Sequence, residues 1–545
     1  MIGVLADPEY EAVIREFFEL FKTPWEFYQR DRQYKVLLCD RPGVHDQTAK
    51  VVFIFVSQHV QLDVSNKVDV PCHNGSRYLL RKDLRIPIYG KCTTFPGREN
   101  SILIDAESQE PAGYVENSCD RVLVRVGYDL FHEIQTLLTV GQPVSNAAIP
   151  TLDLHIALLR DLVSTNVPLV ELLPVPRGYQ FMACLTHDID HPLLRKHRFD
   201  HTMFGFLYRA VIRSLLNVFR GRVSLRQMLT NWTAALKLPF VHLGLAKDFW
   251  QVFDRYPKLE GGLPSSFFVI PFKGDSGCGD ESAAPKHRAS AYEARDIEAQ
   301  IRTLMCAGCE IGLHGIDAWR DSTKGRKELE EIRRITGVHN IGVRTHWLYA
   351  DESSPLALER AGADYDSTVG YNETVGYRAG TTQAYKPLNT SKLLELPLHI
   401  MDTALFFPSN LNLSDAAATR IVDAIIDNAV RFGGVVTINW HDRSIAPERL
   451  WGEFYLRMIH KLKNKGAWFA TASDAVSWFR MRRSVIVEGL DEESSALLVG
   501  DVFKLKAEIP ELCVCVHGPQ KQRQTEYLLN LNEPTECGTA NGGSR

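Results

Sequence analysis

The fold is decided by one stretch, Phe181–His191, which reads Phe-Met-Ala-Cys-Leu-Thr-His-Asp-Ile-Asp-His. Its first half is a short apolar run of the kind that forms a buried strand, and its second half presents two carboxylates and two imidazoles. Because burying an unpaired carboxylate is costly, such a cluster at a strand end needs a metal, another cation or a substrate. Taken alone, the same residues also fit a solvated polar loop, and the segments downstream decide between the two.

Downstream of this stretch, strand patterns alternate with helix patterns as far as about residue 471. The predicted strands are 264–271, 310–313, 341–344, 393–397, 435–439 and 468–471, and the predicted helices are 289–307, 324–336, 355–361, 415–431 and 448–463. Such a repeat predicts a parallel sheet with helical crossovers. Parallel α/β folds bind ligands at the carboxyl ends of their strands. The side chains placed there favour a catalytic site: Asp188, Asp190, His314, Arg344, His346 and His441.

The chain has 545 residues, of which 45% are hydrophobic and 23% charged, and its formal net charge is −4. This length predicts two or three domains, and the composition is that of a globular protein. The small net charge offers no basic field, so we expect no nucleic-acid partner. No apolar run reaches the roughly 18 to 20 residues that span a bilayer. The start, Met1–Asp7, lacks a secretory signal pattern, which predicts a cytoplasmic location.

The eleven cysteines are scattered along the chain. Cys39 and Cys184 lie in apolar surroundings, where a free thiol behaves as a small hydrophobe. Cys306 and Cys309 form a lone CxxC with no second pair at zinc-ribbon spacing. We therefore predict structural thiols at these two positions, with a redox or metal role as the alternative.

Three further regions surround the strand–helix repeat. Residues 1–150 mix strand and helix patterns and predict a smaller α/β accessory domain without a chemical signature. Residues 484–518 hold short apolar runs between turns and predict a small β appendage, and residues 519–545 are polar and predicted to be disordered. The central domain then spans 151–483.

A helical insertion at about 200–257 interrupts the repeat. Its part 204–222 is apolar and rich in arginine. A basic amphipathic helix can lie on an anionic membrane surface or bind a polyanionic ligand. It can equally pack on its own protein with its arginines solvated. Peripheral membrane contact through 204–222 is therefore one of two expectations.

The order and spacing of these segments resemble the polysaccharide deacetylases, the NodB-homology group of carbohydrate esterases. The resemblance covers about 180–480 and rests on five segments that are similar to motifs of that family: Thr186–Asp190 to the acidic first motif in its His-Asp-x-Asp variant, Ser265–Val269 to the second-strand run, Glu310–Gly315 to the second motif, Ile341–Arg344 to the third and Ile438–Asp442 to the last. It implies an irregular (β/α)7 barrel, preceded, as in one subgroup, by an α/β domain.

The resemblance also implies roles for individual residues. Asp190 and His314 would bind a divalent metal, zinc by first choice, although cobalt, nickel and iron accept the same donors. Asp188 would act as the general base, oriented by Arg344. His441 would protonate the leaving group.

The chain departs from the family pattern at two positions. The family's second motif has two histidines four residues apart, but the residue four positions after His314 is Ala318. His346 stands two residues after Arg344, where the family has proline, and we expect it to supply the missing imidazole as the third metal ligand. Its alternative role is to stack beside Trp347.

Five other residues are expected to support the site. Asp442 would hold the tautomer of His441. The other four would contact the ligands or the substrate, or close the substrate site: His187, His191, Tyr365 and Asp366.

The implied activity is removal of an acetyl group from an N- or O-acetylated carbohydrate, which in a cytoplasmic protein would be a precursor of a cell-surface polysaccharide. Two alternatives stay open. The same barrel and metal site could hydrolyse a C–N bond of a non-sugar amide. The absence of a histidine at 318 could instead mark a catalytically lapsed carbohydrate-binding protein.

Overall fold

The computed structural model describes residues 1–41, 49–60, 63, 71–118, 121–221, 223–279, 284–490, 496–499, 509–518 and 526–527. The chain forms two compact units. The first comprises Met1–Gly178, Ala379–Thr381 and Trp478–Arg545, and the second comprises Tyr179–Arg378 and Thr382–Ser477. In this part of the chain the two units meet at residues 178 and 179, whereas the sequence predicts a domain boundary near 150.

The first unit is built on a mixed nine-stranded sheet. Its first eleven strands are β1 Ile2–Ala6, β2 Trp25–Phe27, β3 Val36–Asp40, β4 Val51–Phe55, β5 Cys72–His73, β6 Arg77–Arg81, β7 Leu84–Ile88, β8 Cys92–Thr93, β9 Ser101–Asp105, β10 Pro111–Asn117 and β11 Val122–Val126. The order is β2-β1-β3-β4-β11-β10-β9-β6-β7, and β5 pairs with β8 separately. The first five strands in this order are parallel and the remaining pairs antiparallel. β3 and β4 are buried at every position, as central parallel strands are.

In the described residues of the amino-terminal part, the first unit also contains helices α1 Glu11–Leu20, α2 Leu130–Thr139 and α3 Thr151–Ser164. The apolar positions of α1 recur at helical spacing, so that Val13, Ile14 and Phe17 are all buried. The Phe17 ring packs edge-on against Phe131 of α2, with centroids 6.0 Å apart. Strand β12 Leu169–Leu173 follows α3.

The second unit is built on an all-parallel sheet. Its strands are β13 Phe181–Ile189, β14 Ser265–Val269, β15 Glu310–Gly315, β16 Val343–Thr345, β17 Tyr365–Asp366, β18 Leu394–Glu395, β19 Ile400–Met401, β20 Val435–Asn439 and β21 Ala467–Phe469. The order is β18-β17-β16-β15-β14-β13-β20-β19, and β21 pairs with the start of β13. β13 is buried at all nine positions, so the apolar run that begins at Phe181 is the centre of this unit.

The helices of this part of the chain are α4 His201–Leu207, α5 Ser214–Phe219, α6 Leu225–His242, α7 Tyr256–Leu259, α8 Glu298–Cys306, α9 Ser322–Thr336, α10 Ser354–Ala361, α11 Asp402–Phe406, α12 Asp415–Phe432, α13 Gly452–Asn464 and α14 Ala472–Ser484. A π-helical turn, Tyr208–Arg213, joins α4 to α5. None of the helices in the described ranges is long and apolar enough to cross a membrane.

The sheet of the second unit is curled. In a flat sheet, β13 and β16 would lie about 14 Å apart, three strand spacings. Yet the carboxylate of Asp190, which follows β13, lies 3.7 Å from Nε2 of His346, which follows β16. β18 and β19 stand at the two ends of this strand order, and Glu395 of β18 also forms an antiparallel bridge with Tyr385. The described residues thus form a curled parallel sheet, and a closed (β/α)7 barrel stays a prediction.

The last strands are β22 Ile486–Leu490, β23 Ala496–Val499, β24 Cys513–His517 and β25 Glu526–Tyr527. β22 and β23 form a hairpin, and β24 pairs with β12 on one side and β25 on the other. The segment 484–518, predicted as a small β appendage, falls within the first unit. Apart from 526–527, the tail predicted to be disordered lies outside the described residues.

Candidate metal centre and active site

Asp188 lies at the carboxyl end of β13 and is held on both sides. Its Oδ1 accepts from Nη1 of Arg344 at 3.0 Å, and its Oδ2 accepts from Nδ2 of Asn439 at 2.6 Å. Asn439 ends the neighbouring strand β20, and its own Oδ1 accepts from the Asp188 N–H at 3.2 Å. The carboxylate and the backbone of Asp188 are thus fixed in one orientation.

Arg344, in β16, is fully buried and donates through all three of its guanidinium nitrogens. Besides Asp188, it donates to the Thr186 hydroxyl at 2.7 Å and to the carbonyl and hydroxyl of Ser367, each at 2.9 Å. The guanidinium also lies over the Phe268 ring, 4.5 Å from its centroid. A buried cation with this many partners is a rigid element, and it sets the position of Asp188.

One cluster in the described part of the chain could bind a metal ion, and it consists of Asp190, His314 and His346. The donor atoms of these three side chains all lie within 4.8 Å of one another. Oδ1 of Asp190 is 3.2 Å from Nε2 of His314 and 3.7 Å from Nε2 of His346. Asp188 lies in β13 and Asp190 directly follows the strand, and both line the same cavity. The three predicted metal ligands therefore lie together, next to the predicted base.

Both imidazoles of the group turn Nε2 towards Asp190. Burial would lower the pKa of His314, but the carboxylates of Asp188 and Asp190 raise it above its usual value. Nδ1 of His314 donates to the Arg344 carbonyl at 2.9 Å, so its Nε2 is the nitrogen that faces Asp190. Burial lowers the pKa of His346 well below its usual range, so this imidazole is neutral, the form that binds metals. Burial alone would raise the pKa of Asp190, but the contacts with the surrounding histidines hold it well below its usual range.

His441 follows β20 and lies between two carboxylates. Its Nε2 is 3.7 Å from Oδ2 of Asp190, and its Nδ1 lies 2.6 Å from Oδ1 of Asp402. Asp402, at the start of α11, is fully buried and also accepts from the His441 N–H at 2.7 Å and from the Ser444 hydroxyl. Burial lowers the pKa of His441, but the Asp402 carboxylate more than offsets this and raises it to about 9. The imidazole is therefore protonated at neutral pH and can donate a proton.

The prediction that Asp442 holds the tautomer of His441 is wrong. The Asp442 carboxylate accepts from the backbone N–H groups of His191 and Arg443, each at 2.8 Å. The partner of Nδ1 of His441 is instead the Asp402 carboxylate. Sequence reasoning missed Asp402. The only feature of the sequence that could have indicated its role is its position after the two-residue strand β19.

The position of the missing second-motif histidine has no room for an imidazole. Ala318 is fully buried, and a Cβ built on Gly325 of α9 would lie 3.0 Å from the Ala318 Cα. The helix therefore packs directly on this residue. His346 reaches the cluster from the next strand instead, which is where the sequence predicted the replacement donor.

Four of the predicted supporting residues do not line the site cavity. Nδ1 of His187 lies 2.7 Å from the Trp440 carbonyl and Nε2 lies 2.9 Å from Glu260, so the ring is used inside the fold. Burial lowers the pKa of His191 well below its usual range. The other two bond elsewhere: the hydroxyl of Tyr365 donates to Glu310 at 2.7 Å, and Asp366 accepts from Thr368 at 2.5 Å.

The two cysteines of the CxxC are free. Cys309 is buried, its sulfur lies 3.6 Å from the Ser265 hydroxyl, and burial raises its pKa. Cys306 is exposed at the end of α8. This arrangement fits the structural role that the sequence favoured.

A cavity of about 490 Å³ opens over the cluster, with Asp188, Asp190, His314, His346 and His441 among the residues that line it. Its wall includes Trp347, Leu348 and Tyr349, directly after His346. Trp347 and Leu348 have φ of 64° and 53°, a left-handed conformation that side-chain-bearing residues rarely adopt. Strain of this kind concentrates at ligand sites, and here it turns the chain so that the imidazole and the indole both line one cavity.

Comparisons with known proteins give the following. No family model matches the chain, and no curated protein matches it. Among solved structures, it is similar to a protein from Mycobacterium smegmatis described as a polysaccharide deacetylase, at 20% identity over 57% of this chain and 95% of that one, with a TM-score of 0.35. A protein from Pseudomonas aeruginosa PAO1 with the same description matches at 16% identity over 56% and 92%, with a TM-score of 0.33. A peptidoglycan N-acetylglucosamine deacetylase matches at 14% identity over 42% and 82%, with a TM-score of 0.24. Because all three TM-scores are below 0.5, the function is argued from the site alone.

Proposed function

We propose that this chain is a metal-dependent hydrolase that removes an acetyl group from an N- or O-acetylated carbohydrate. The observation that supports the proposal is the donor set of one cavity. The group Asp190, His314 and His346, with donor atoms within 4.8 Å of one another, lies beside a carboxylate paired with a buried arginine and an imidazole paired with a buried carboxylate. Acyl transfer to water needs these three kinds of group together.

The donors fit a divalent metal, and zinc is our first choice. One carboxylate and two imidazoles are the three protein ligands of a catalytic zinc site that keeps a position open. Cobalt, nickel and iron accept the same donors. When bound, the ion would polarise the acyl carbonyl and lower the pKa of a water molecule.

Asp188 is the residue we propose as general base. Its Oδ1 is held by Arg344, while its Oδ2 lies 3.9 Å from Nε2 of His314 and so faces the metal-ligand group. A proton from the attacking water would be taken at Oδ2. Arg344 is a positioning residue, because it contacts Asp188 and lies below the cavity rather than in its lining.

His441 is the residue we propose as general acid. Asp402 holds its Nδ1, so Nε2 carries the proton that can be given away, and this nitrogen lines the cavity beside Asp190. A pKa of about 9 keeps that proton in place at neutral pH. It would be delivered to the amine or alkoxide that leaves the acyl carbon.

The cavity wall supports a carbohydrate as the substrate. Trp347 and Tyr349 offer aromatic surface for the apolar face of a sugar ring, and Asn372 and Asn410 offer amides for its hydroxyl groups. The two amides are themselves oriented: Nδ2 of Asn372 donates to the Trp347 carbonyl at 2.9 Å, and Nδ2 of Asn410 donates to the Asn372 carbonyl at 3.2 Å. A sugar is thus expected to lie between the indole and these amides.

The test is release of acetate from N-acetylglucosamine oligomers and from acetylated xylan by the zinc-loaded full chain, compared with release of ammonia from simple amides. We expect acetate from at least one glycan and a loss of at least roughly a hundredfold in Asp188→Asn and in His441→Ala. His460→Ala, an exposed histidine on α13, is the matched control and should keep full activity. Ammonia without acetate would indicate a non-sugar C–N hydrolase instead, and neither product would indicate the lapsed binding protein.

A further inference from the structure

Two helical segments of the second unit expose an apolar surface that the candidate site does not use. They are 201–219, formed by α4, the π-helical turn and α5, and α6. In the described part of the chain, 14 of the 21 exposed large apolar side chains lie between residues 199 and 245. We call these 14 side chains the hairpin face. Apolar surface concentrated in this way marks an interaction site rather than the ordinary scatter of exposed residues.

On α6 the hairpin face is one continuous stripe. Leu225, Leu229, Leu236 and Phe240 follow one another at intervals of four, seven and four residues, which places them on one side of a helix. Leu236 is 77% exposed. In the preceding segment, Phe219 is 82% exposed. Large side chains held this far into solvent gain nothing from the fold of the unit itself.

The two segments do not need this stripe to pack, because other apolar side chains of each segment are buried. Met203, Phe206 and Ala210 from the first segment pack with Leu238 of α6 and with Trp250 in one core cluster. In addition, Nε1 of Trp232 on α6 donates to the Val211 carbonyl at 3.2 Å, which joins the two segments. The outward stripe is therefore surplus to the folding of the hairpin.

The charge of this region is one-sided. Residues 201–247 contain seven arginines and lysines and no aspartate or glutamate, although the whole chain has 62 basic and 66 acidic residues. Arg226 and Lys237 are exposed and come directly after Leu225 and Leu236 of the stripe. One residue is about 100° around a helix, so these two cations flank the stripe rather than lying opposite to it. Long basic side chains at such a flank can extend their charge to the level of lipid headgroups.

We propose that the hairpin face docks on an anionic lipid surface. An apolar stripe of Leu and Phe flanked by Arg and Lys is the pattern of helices that lie in a membrane interface, and anionic headgroups attract the basic residues. A second copy of this chain fits less well, because joining two hairpin faces would bring the exposed cations Arg226 and Lys237 of one copy close to those of the other, with no acidic residue in 201–247 to offset them. The sequence predicts membrane contact through 204–222, and the proposed docking surface adds α6 to that segment.

The experiment is co-sedimentation of the full chain with 100 nm vesicles of phosphatidylcholine alone, or with 30% phosphatidylglycerol. We expect binding to the anionic vesicles that weakens between 0.1 and 0.5 M salt. The double substitution Leu236→Asp and Phe240→Asp should abolish it. Arg226→Glu with Lys237→Glu should lower the partition coefficient for anionic vesicles by roughly 25-fold or more, since each basic residue near such a surface contributes roughly fivefold.

Val338→Asp is the matched control, because Val338 is an exposed apolar residue of the same unit outside the hairpin, and it should bind like the native chain. Circular dichroism and tryptophan fluorescence of each variant establish that the fold is kept. Native-like vesicle binding by the Leu236→Asp, Phe240→Asp variant would overturn the proposal. So would a native dimer that becomes monomeric in this variant while neither form binds vesicles, because the face would then join two copies.

Discussion

The pairing of Asp188 with Arg344 allows a quantitative test of how the site is held. Arg344→Met keeps much of the side-chain volume but leaves the Asp188 carboxylate buried with Asn439 as its remaining side-chain donor. Breaking a buried ion pair by removing one partner costs about 3–5 kcal/mol, so we expect the free energy of unfolding of the second unit to fall by about 4 kcal/mol. Asp188→Asn, which leaves Arg344 bound to Thr186 and Ser367, should cost about 3 kcal/mol.

The double variant should lower the free energy of unfolding by about 4 to 5 kcal/mol, which is less than the sum of the two single costs, because it leaves no buried charge unpaired. The coupling energy between the two residues is then about 2 to 3 kcal/mol. Urea unfolding followed by tryptophan fluorescence is the assay, since seven of the nine tryptophans lie in the second unit. The control cycle combines Asp188→Asn with Arg288→Met. Arg288 is buried and donates to three carbonyls, none of which Asp188 contacts, so these two changes should add within about 0.5 kcal/mol. Additive costs for Asp188 and Arg344 would refute the claim that Arg344 positions Asp188.

Three further predictions concern single residues of the second unit. Burial raises the pKa of Glu328 to about 7 from an ordinary value of 4.5. The contribution of the protonated carboxyl to the free energy of unfolding is therefore fully present below pH 4.5 and is lost as pH rises towards 7. In Glu328→Gln, the difference in the free energy of unfolding between pH 5 and pH 7.5, measured with urea, should be smaller than in the native chain. His441→Ala should lose at least roughly a hundredfold in turnover while keeping its bound metal, and loss of both would assign His441 to the ligand set. Gly342→Ala should destabilise the unit by about 3 kcal/mol, because the new Cβ would lie 2.0 Å from the ring of Tyr365; an unchanged urea midpoint would contradict this packing.

Much of the second unit could be predicted because its signals are local. The apolar run of β13 and the strand–helix alternation after it predict a parallel sheet, and the positions of His314 and His346 after successive strands predict that they meet at one edge. What the local pattern does not contain is the curling of that sheet. Several of its later strands are only two or three residues long, as β18 and β19 are, and strands of this length leave little periodicity to detect.

Other features depend on contacts that are distant in the sequence. The sequence does not reveal Asp402 as the partner of His441, because the two residues are 39 positions apart and Asp402 follows a strand of only two residues. Adjacency in the sequence favours Asp442 instead. The assignment of residues 151–178 to the first unit also depends on such contacts. β12 pairs with β24, which lies more than 300 residues later in the chain. The local sequence of residues 169–173 does not indicate which strand they pair with.

The most direct test of the account is the zinc content of the purified full chain, measured by mass spectrometry after dialysis against a large excess of metal-free buffer. We predict one zinc ion per native chain and per chain of His460→Ala, and substantially less than one in Asp190→Ala and in His346→Ala, since each removes one of three donors. Full zinc occupancy in both ligand variants, or none in the native chain after loading with zinc, would contradict the proposed metal centre.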